Sequence, residues 1–189
     1  MADGRTVLLT GLPSAGKTTV ATAAREALLA AGRRAEVLDG DVVRRELWPE
    51  LGLSPADRES NLVRIGTVAL LLARNGITAI VAAIAPYGHS REALRTRHTD
   101  AGVPFSEVHI ATPVEVCRRR DVKGLYARHA RGEITGLTGV DAVYERPLAP
   151  ELRIDTSLET VDETVARLVD FIALGHPAPR SSFSSPRTG

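Results

Sequence analysis

The sequence predicts an α/β fold in which a parallel sheet is covered by helices on both faces. Short apolar segments alternate with longer amphipathic ones along most of the chain, which is the pattern of such a sheet. A glycine-rich loop joins the first apolar segment to the first amphipathic one, and loops of this kind bind phosphate groups. The length of 189 residues suits one well-buried domain.

The predicted strands are short and apolar. In chain order they are residues 6–10, 35–38, 78–83, 106–111 and 152–154. The first directly precedes the glycine-rich loop. The third is apolar throughout and partly β-branched, which suits a central strand that is buried on both faces.

The predicted helices are recognised by their period and by the residues that start or stop them. They cover residues 16–31, a short segment that begins near residue 41, and residues 55–74, 90–99, 113–120 and 161–174. Gly32 ends the first helix, and Pro55 opens the long one. Asn75 and Gly76 stop that long helix, and Pro113 suits the first position of the helix that follows it.

Two segments show neither the two-residue period of a strand nor the 3.6-residue period of a helix. Residues 121–150 are rich in Gly and Arg and form a segment that is too long for an ordinary connection, so we predict a functional lid there. Residues 176–189 are dominated by Pro, Ser and Arg, and we predict a disordered tail. One domain is therefore expected over residues 1–175.

Composition and charge exclude several classes of protein. Hydrophobic residues make up 43% and charged residues 25%, which is ordinary for a globular chain. The net charge of +1 shows no excess of basic residues of the kind that binds nucleic acid. No apolar run approaches the roughly 20 residues that span a bilayer, and the first strand begins too early for a signal peptide. We therefore expect a cytoplasmic protein without a nucleic-acid or membrane partner, and its single cysteine, Cys117, can form no intramolecular disulfide.

The glycine-rich loop matches the pattern G-x-x-x-x-G-K-[ST] in full between a strand and a helix. This P-loop predicts a P-loop NTPase fold with ATP as the phosphate donor and Mg²⁺ as the metal. Lys17 can reach the β- and γ-phosphates, and the Thr18 hydroxyl can ligate the metal. The predicted nucleotide-binding residues are Gly11, Ser14, Ala15, Gly16, Lys17, Thr18 and Thr19.

Two carboxylates follow the second predicted strand, in the segment Leu-Asp-Gly-Asp-Val-Val-Arg. Ligands of open α/β sheets lie at the carboxyl ends of the strands, so Asp39 and Asp41 should face the same crevice as the P-loop. One carboxylate near the metal and one near an acceptor hydroxyl would suit phosphoryl transfer. An N-cap for the next helix is the competing interpretation, and for Asp41 the two roles are compatible.

Three polar residues, Arg58, Asn61 and Arg64, recur at three-residue spacing on the long helix and predict a polar face. Arg44 joins them from the preceding element. They are candidates to bind an anionic ligand, although a solvated charged stripe would explain the same pattern.

Four segments beyond the P-loop carry a resemblance to a known family. They are LDGDVVR at 38–44, DRESNLVRIG at 57–66, IAPY at 84–87, and the long segment at 120–144 with its D-V-K-G-L-Y-A core. Over residues 5–174 the chain resembles the adenylyl-sulfate kinase family, which phosphorylates the 3′-hydroxyl of adenosine 5′-phosphosulfate (APS). The resemblance implies a parallel five-stranded sheet and a homodimer, and it leaves open whether a sulfurylase is a further partner.

The resemblance also implies roles for individual residues. Lys17, Asp39, Asp41 and Lys123 would carry the transfer, with Thr18 and Asp39 at the metal and Asp41 as the base. The residues implied to bind the acceptor nucleotide are Asp41, Arg44, Arg58, Asn61, Arg64, Ile84, Ala85, Lys123 and Leu137. Lys123 and its neighbours on the lid would close over both nucleotides.

Three positions depart from the family pattern. Ala85 replaces a serine, Gly88 replaces a long polar residue, and Leu137 replaces an aromatic that stacks on the acceptor adenine in many members. Loss of that stacking could weaken base binding by about 1–3 kcal/mol. Two alternatives therefore stay open: a related kinase for another hydroxyl, and a non-catalytic nucleotide-binding partner of a sulfate-activating complex.

Overall fold

A computed structural model describes residues 4–175 of the chain. Its strands are β1 (Arg5–Thr10), β2 (Ala35–Asp39), β3 (Thr78–Ala82), β4 (Phe105–Ile110) and β5 (Leu152–Ile154). Its helices are α1 (Lys17–Ala30), α2 (Gly40–Leu47), α3 (Pro55–Arg74), α4 (Gly88–Asp100), α5 (Val114–Arg120), α6 (Leu125–Ala130) and α7 (Val161–Leu174). The tail predicted at 176–189 lies outside the described residues.

The five strands form one parallel sheet in the order β2-β3-β1-β4-β5. In the centre, Val7 of β1 lies opposite Ile80 of β3 and Ser106 of β4. Because every strand runs the same way, all five carboxyl ends meet at one edge of the sheet. The loops after β1, β2 and β3 leave the sheet at that edge.

Helices cover both faces of the sheet, as predicted, because the central strands are apolar on both sides. Val7 and Leu9 of β1 belong to the larger core cluster, which includes buried side chains of α1 and α7. Leu8 lies between them in sequence and points to the other face, where it packs with residues of α2, α3 and α4. This alternation follows from the two-residue period of a strand.

The predicted elements agree with the structure to within about two residues, the ordinary uncertainty of helix and strand ends. The predicted position of Pro113 is corrected: Pro113 is the N-cap of α5 and not its first residue. Cys117 is buried on that helix. Within the described residues, no helix is long and apolar enough to cross a membrane.

Residues 121–150, the predicted lid, contain one element that the sequence pattern missed. The helix α6 has only six residues, too few for an apolar period to become visible. It begins after Gly124, which lies in the left-handed region at φ 65°. The Asp121 carboxylate accepts hydrogen bonds from the Tyr126 and Ala127 amides, and this holds the first turn in place.

Candidate active site

A cavity of about 1020 Å³ opens at the carboxyl edge of the sheet. The P-loop, the start of α2, one side of α3, the loop after β3 and the lid all contribute to its walls. The predicted site residues that line it are Ser14, Gly16, Lys17, Thr18, Thr19, Asp39, Asp41, Arg44, Arg58, Asn61, Ile84, Ala85, Lys123 and Leu137. Of the other predicted residues, Gly11 and Ala15 are buried within the P-loop, and Arg64 lies outside the lining.

The P-loop encloses the side chain of Lys17. Its ammonium group donates hydrogen bonds to the carbonyl oxygens of Gly11 at 2.8 Å and Leu12 at 2.7 Å. Burial lowers the pKa of Lys17 to about 8, because a buried ammonium loses the water that stabilises its charge. Ser14 and Gly16 both have positive φ, at 60° and 103°, so successive backbone amides of the loop can converge on an anion.

The Thr18 hydroxyl donates a hydrogen bond of 2.6 Å to Oδ2 of Asp39. The other carboxylate oxygen of Asp39 accepts from the amides of Asp41 at 2.9 Å and Val42 at 3.2 Å. Asp39 is therefore the N-cap of α2, and the capping role left open for Asp41 is corrected. Capping by Asp39 leaves the Asp41 carboxylate free to face the cavity.

The Asp41 carboxylate lies between two cations. Lys123 Nζ of the lid is 2.5 Å from one of its oxygens, and Arg44 is 2.6 Å from the other. Partial desolvation favours the neutral acid, but the hydrogen bond and charge of Lys123 and the charge of Arg44 outweigh it, so the pKa of Asp41 is lowered. Asp41 is consequently an ionised, hydrogen-bond-accepting group at neutral pH.

The three polar residues of α3 separate in the structure. Arg58 points to the lid, where its guanidinium donates to the hydroxyl of Thr138 and, at 2.8 Å, to the carbonyl of Gly136. Arg64 instead pairs with Glu50 and lies 5.8 Å from the centre of the Trp48 ring. A three-residue step advances about 300° around a helix, so residues 58 and 64 lie about 120° apart and do not share one face.

Asn61, between those two arginines in sequence, is buried with both ends of its amide in use. Its oxygen accepts from the indole N–H of Trp48 at 2.6 Å, and its nitrogen donates to the Gly40 carbonyl at 3.2 Å. Gly40 is the residue between the two carboxylates. Asn61 thus joins α3 to the start of α2 and helps to place Asp39 and Asp41.

Two of the three positions that depart from the family pattern, Ala85 and Leu137, are buried. Ala85 is 4% exposed, belongs to the core cluster around α3 and α4, and lines the cavity with a left-handed backbone at φ 46°. Leu137 is 6% exposed and packs in the larger core cluster while it also lines the cavity. The amides of Gly136 and of Leu137 itself donate to the Asp141 carboxylate.

Residues that the sequence did not single out also build the site. Arg120 donates to the hydroxyl of Thr156 at 2.7 Å and to its carbonyl at 2.8 Å, and both residues line the cavity. The Thr156 hydroxyl also bonds to the Ala15 carbonyl at 3.0 Å, behind the P-loop. Tyr126 donates to the Pro13 carbonyl at 3.1 Å. These contacts join residues 36 to 141 positions apart, and no local pattern predicts them.

Comparisons with known proteins point to one family. The sequence model of the family described as adenylylsulphate kinase matches residues 3–155. The chain is 47% identical to the adenylyl-sulfate kinase of Picosynechococcus sp. over 177 residues. The matched region covers 93% of this chain and 98% of that protein.

Two solved structures extend the comparison. The APS kinase of Mycobacterium tuberculosis in complex with AMPPNP and APS has a TM-score of 0.88 at 44% identity, covering 92% of this chain and 99% of that one. The hexameric APS kinase of Thiobacillus denitrificans has a TM-score of 0.67 at 35% identity, covering 92% of this chain and 30% of that one. A family match over most of the described residues, and relatives of nearly equal length, place this chain in the adenylylsulphate kinase family.

Proposed function

We propose that this protein transfers the γ-phosphate of ATP to the 3′-hydroxyl of APS, giving 3′-phosphoadenosine 5′-phosphosulfate and ADP. The observation that carries the proposal is the pair of aspartates in one cavity with the P-loop lysine. Asp39 is bound to the P-loop through Thr18, whereas Asp41 faces the cavity and is bound to the lid through Lys123.

The donor end of the cavity is built to hold a triphosphate. Lys17 would exchange its loop carbonyl partners for the β- and γ-phosphate oxygens. The Thr18 hydroxyl and the Asp39 carboxylate are hard oxygen ligands of the kind that Mg²⁺ prefers, and they already lie 2.6 Å apart on the cavity wall. When bound there, Mg²⁺ supplies positive charge that offsets the charge of the phosphate oxygens.

Asp41 is proposed to orient the acceptor hydroxyl and receive its proton. The hydroxyl oxygen forms a bond to the γ-phosphorus while the bond from that phosphorus to the β–γ bridging oxygen breaks. The proton passes to the Asp41 carboxylate, and ADP leaves with the electron pair of the broken bond. Because the Asp41 pKa is lowered, the carboxylate is ionised and ready to accept a hydrogen bond at neutral pH.

Lys123 is proposed to act on the transferred group as well as on Asp41. Its ammonium reaches the cavity from the lid, where a positive charge would stabilise the negative charge on the transferred phosphoryl group. A lid over the cavity would also exclude water, which otherwise competes as the acceptor.

The acceptor nucleotide is proposed to lie between α2, α3, the loop after β3 and the lid. Arg44 and Arg58 line this end and supply cationic groups for the phosphosulfate. Arg58 keeps N–H groups beyond those used on Leu53, Gly136 and Thr138, because a guanidinium has five of them. Ile84, Ala85 and Leu137 give apolar surface for the base. We assign no ligand contact to Arg64, and we give Asn61 a supporting role.

The test is ADP release from the purified protein with ATP, Mg²⁺ and APS. Turnover with APS supports the proposal, and the product, already phosphorylated at the 3′-hydroxyl, should fail as an acceptor. Turnover only with a nucleoside or another alcohol would overturn the acceptor assignment. ATP binding without turnover on any acceptor would instead favour the non-catalytic role. The homodimer and the cytoplasmic location stay predictions, and the question of a sulfurylase partner stays open.

A further inference from the structure

The loop after β3, here called the acceptor loop and defined as residues 84–87, forms one wall of the cavity. Ala85 adopts a left-handed conformation at φ 46°, which is disfavoured for a residue with a Cβ atom. Such a conformation persists only where the surroundings determine it. The contacts that hold this loop therefore decide the shape of the acceptor end.

Glu145, at the end of the lid, contacts this loop, the residue that follows it, and the arginine that holds Ala85. Its amide donates to the Pro86 carbonyl at 2.8 Å, and its carboxylate accepts from the Gly88 amide at 2.6 Å. Its carbonyl accepts from Arg91 at 2.9 Å, and the same guanidinium donates to the Ala85 carbonyl at 2.8 Å. Glu145 and Arg91 together hold the loop at its left-handed residue and on the C-terminal side of it.

The Glu145 carboxylate also replaces a missing helix cap. Gly88 is the first residue of α4, and the N-cap residue, Tyr87, makes no side-chain capping bond. A carboxylate at this position is favoured by the helix dipole and by a charged hydrogen bond. A Cβ atom at Gly88 would lie 3.0 Å from the Glu145 carboxylate, so that carboxylate packs closely against the start of α4.

Arg91, which binds both Glu145 and the acceptor loop, is itself held in place by the sheet. It is 4% exposed and forms a 2.6 Å ion pair with Glu107 of β4. Next to Glu145, the Tyr144 hydroxyl lies 3.1 Å from the Thr10 hydroxyl, which donates to the Ile84 carbonyl at 2.6 Å. The end of the lid is thus joined to the sheet and to the acceptor loop at the same place.

We propose that Glu145 is a positioning residue that fixes the acceptor loop and links its conformation to the end of the lid. It does not line the cavity, so it acts through the loop residues Ile84, Ala85 and Pro86, which do. This inference rests on the proposed function only in naming the acceptor as the ligand that would be affected.

The test compares Glu145→Ala and Glu145→Gln with Glu115→Ala, an exposed carboxylate on α5. In the ligand-free protein, hydrogen exchange of residues 84–91 should be faster in Glu145→Ala. In kinetics, the same variant should raise KM for APS about ten-fold, the effect of one charged hydrogen bond, with KM for ATP unchanged. Glu145→Gln keeps an oxygen for the Gly88 amide and should restore most of both properties.

Equal changes in both KM values, or unchanged exchange in Glu145→Ala, would overturn the inference. Thermal unfolding of each variant identifies a general loss of fold, and Glu145→Gln then decides the case by restoring or failing to restore the exchange rate. If the wild-type protein does not turn over APS, the proposed function fails. The exchange of residues 84–91 in the ligand-free protein would still decide the role of Glu145.

Discussion

Lys123 of the lid and Asp41 of α2 form an ion pair, with Nζ 2.5 Å from Oδ2, although 82 positions separate them in the chain. The pair joins the lid to the carboxylate that we propose as the base. Arg44 contacts the other carboxylate oxygen, so Asp41 is held from both sides. The geometry of the base therefore depends on where the lid lies.

Asp41→Asn should reduce ADP release by about 100-fold or more, because the amide cannot accept the hydroxyl proton. Affinity for ATP should stay close to wild type, since the donor contacts of Lys17, Thr18 and Asp39 are retained. Steady-state turnover and equilibrium ATP binding measure the two effects. Asp170→Asn removes the same charge from an exposed position on α7 and should leave both values unchanged. Normal turnover in Asp41→Asn would refute the base assignment.

Lys123→Ala should impair transfer far more than stability. Both side chains of the Lys123–Asp41 pair are about half exposed, and exposed ion pairs contribute at most about 1 kcal/mol. A shift in Tm below about 4 °C is therefore expected, whereas kcat should fall at least about ten-fold as the charge at the transferred group is lost.

Arg118→Ala is the control for Lys123→Ala, because it removes an exposed cation from α5, next to the lid. It should change neither kcat nor Tm. A Lys123→Ala protein with wild-type kcat would contradict the proposed role of Lys123 in the transfer.

ATP binding should weaken as the pH rises above about 8. Burial lowers the pKa of Lys17 to about 8, whereas bound phosphates would raise it again. The bound state then holds one more proton than the free state, so affinity falls by about ten-fold per pH unit above the free pKa. Equilibrium titrations between pH 6.5 and 9.5, in the range set by this pKa, measure the slope. Lys17→Met should bind more weakly and lose this dependence, and a constant Kd in the wild type would contradict the prediction.

Asn61→Ala should lower the free energy of unfolding by about 1–3 kcal/mol for each buried polar group left unpaired. The groups at risk are the Trp48 indole N–H and the Gly40 carbonyl. Urea denaturation measures the loss. Arg64→Ala, on the same helix, removes an exposed ion pair and should cost less than about 1 kcal/mol. Equal stability of the two variants would mean that Asn61 does not hold α2.

Much of the fold could be predicted because its signals are local. The apolar segment at 78–83 and the stop at Asn75 and Gly76 need only a few neighbouring residues to be recognised, and the structure has β3 and the end of α3 there. The six-residue α6 could not be predicted, because fewer than two helical turns show no period.

The candidate site likewise has features that local sequence predicts and features that only packing sets. By itself, the sequence determined the P-loop between a strand and a helix, and the two carboxylates at the end of β2, because each is a short motif on one element. Only the tertiary structure decided that Arg58 holds the lid and that Lys123 meets Asp41. Those contacts depend on how α2, α3 and the lid pack around the carboxyl edge of the sheet. Propensity and period act over a few residues, whereas packing joins side chains that are 80 positions apart.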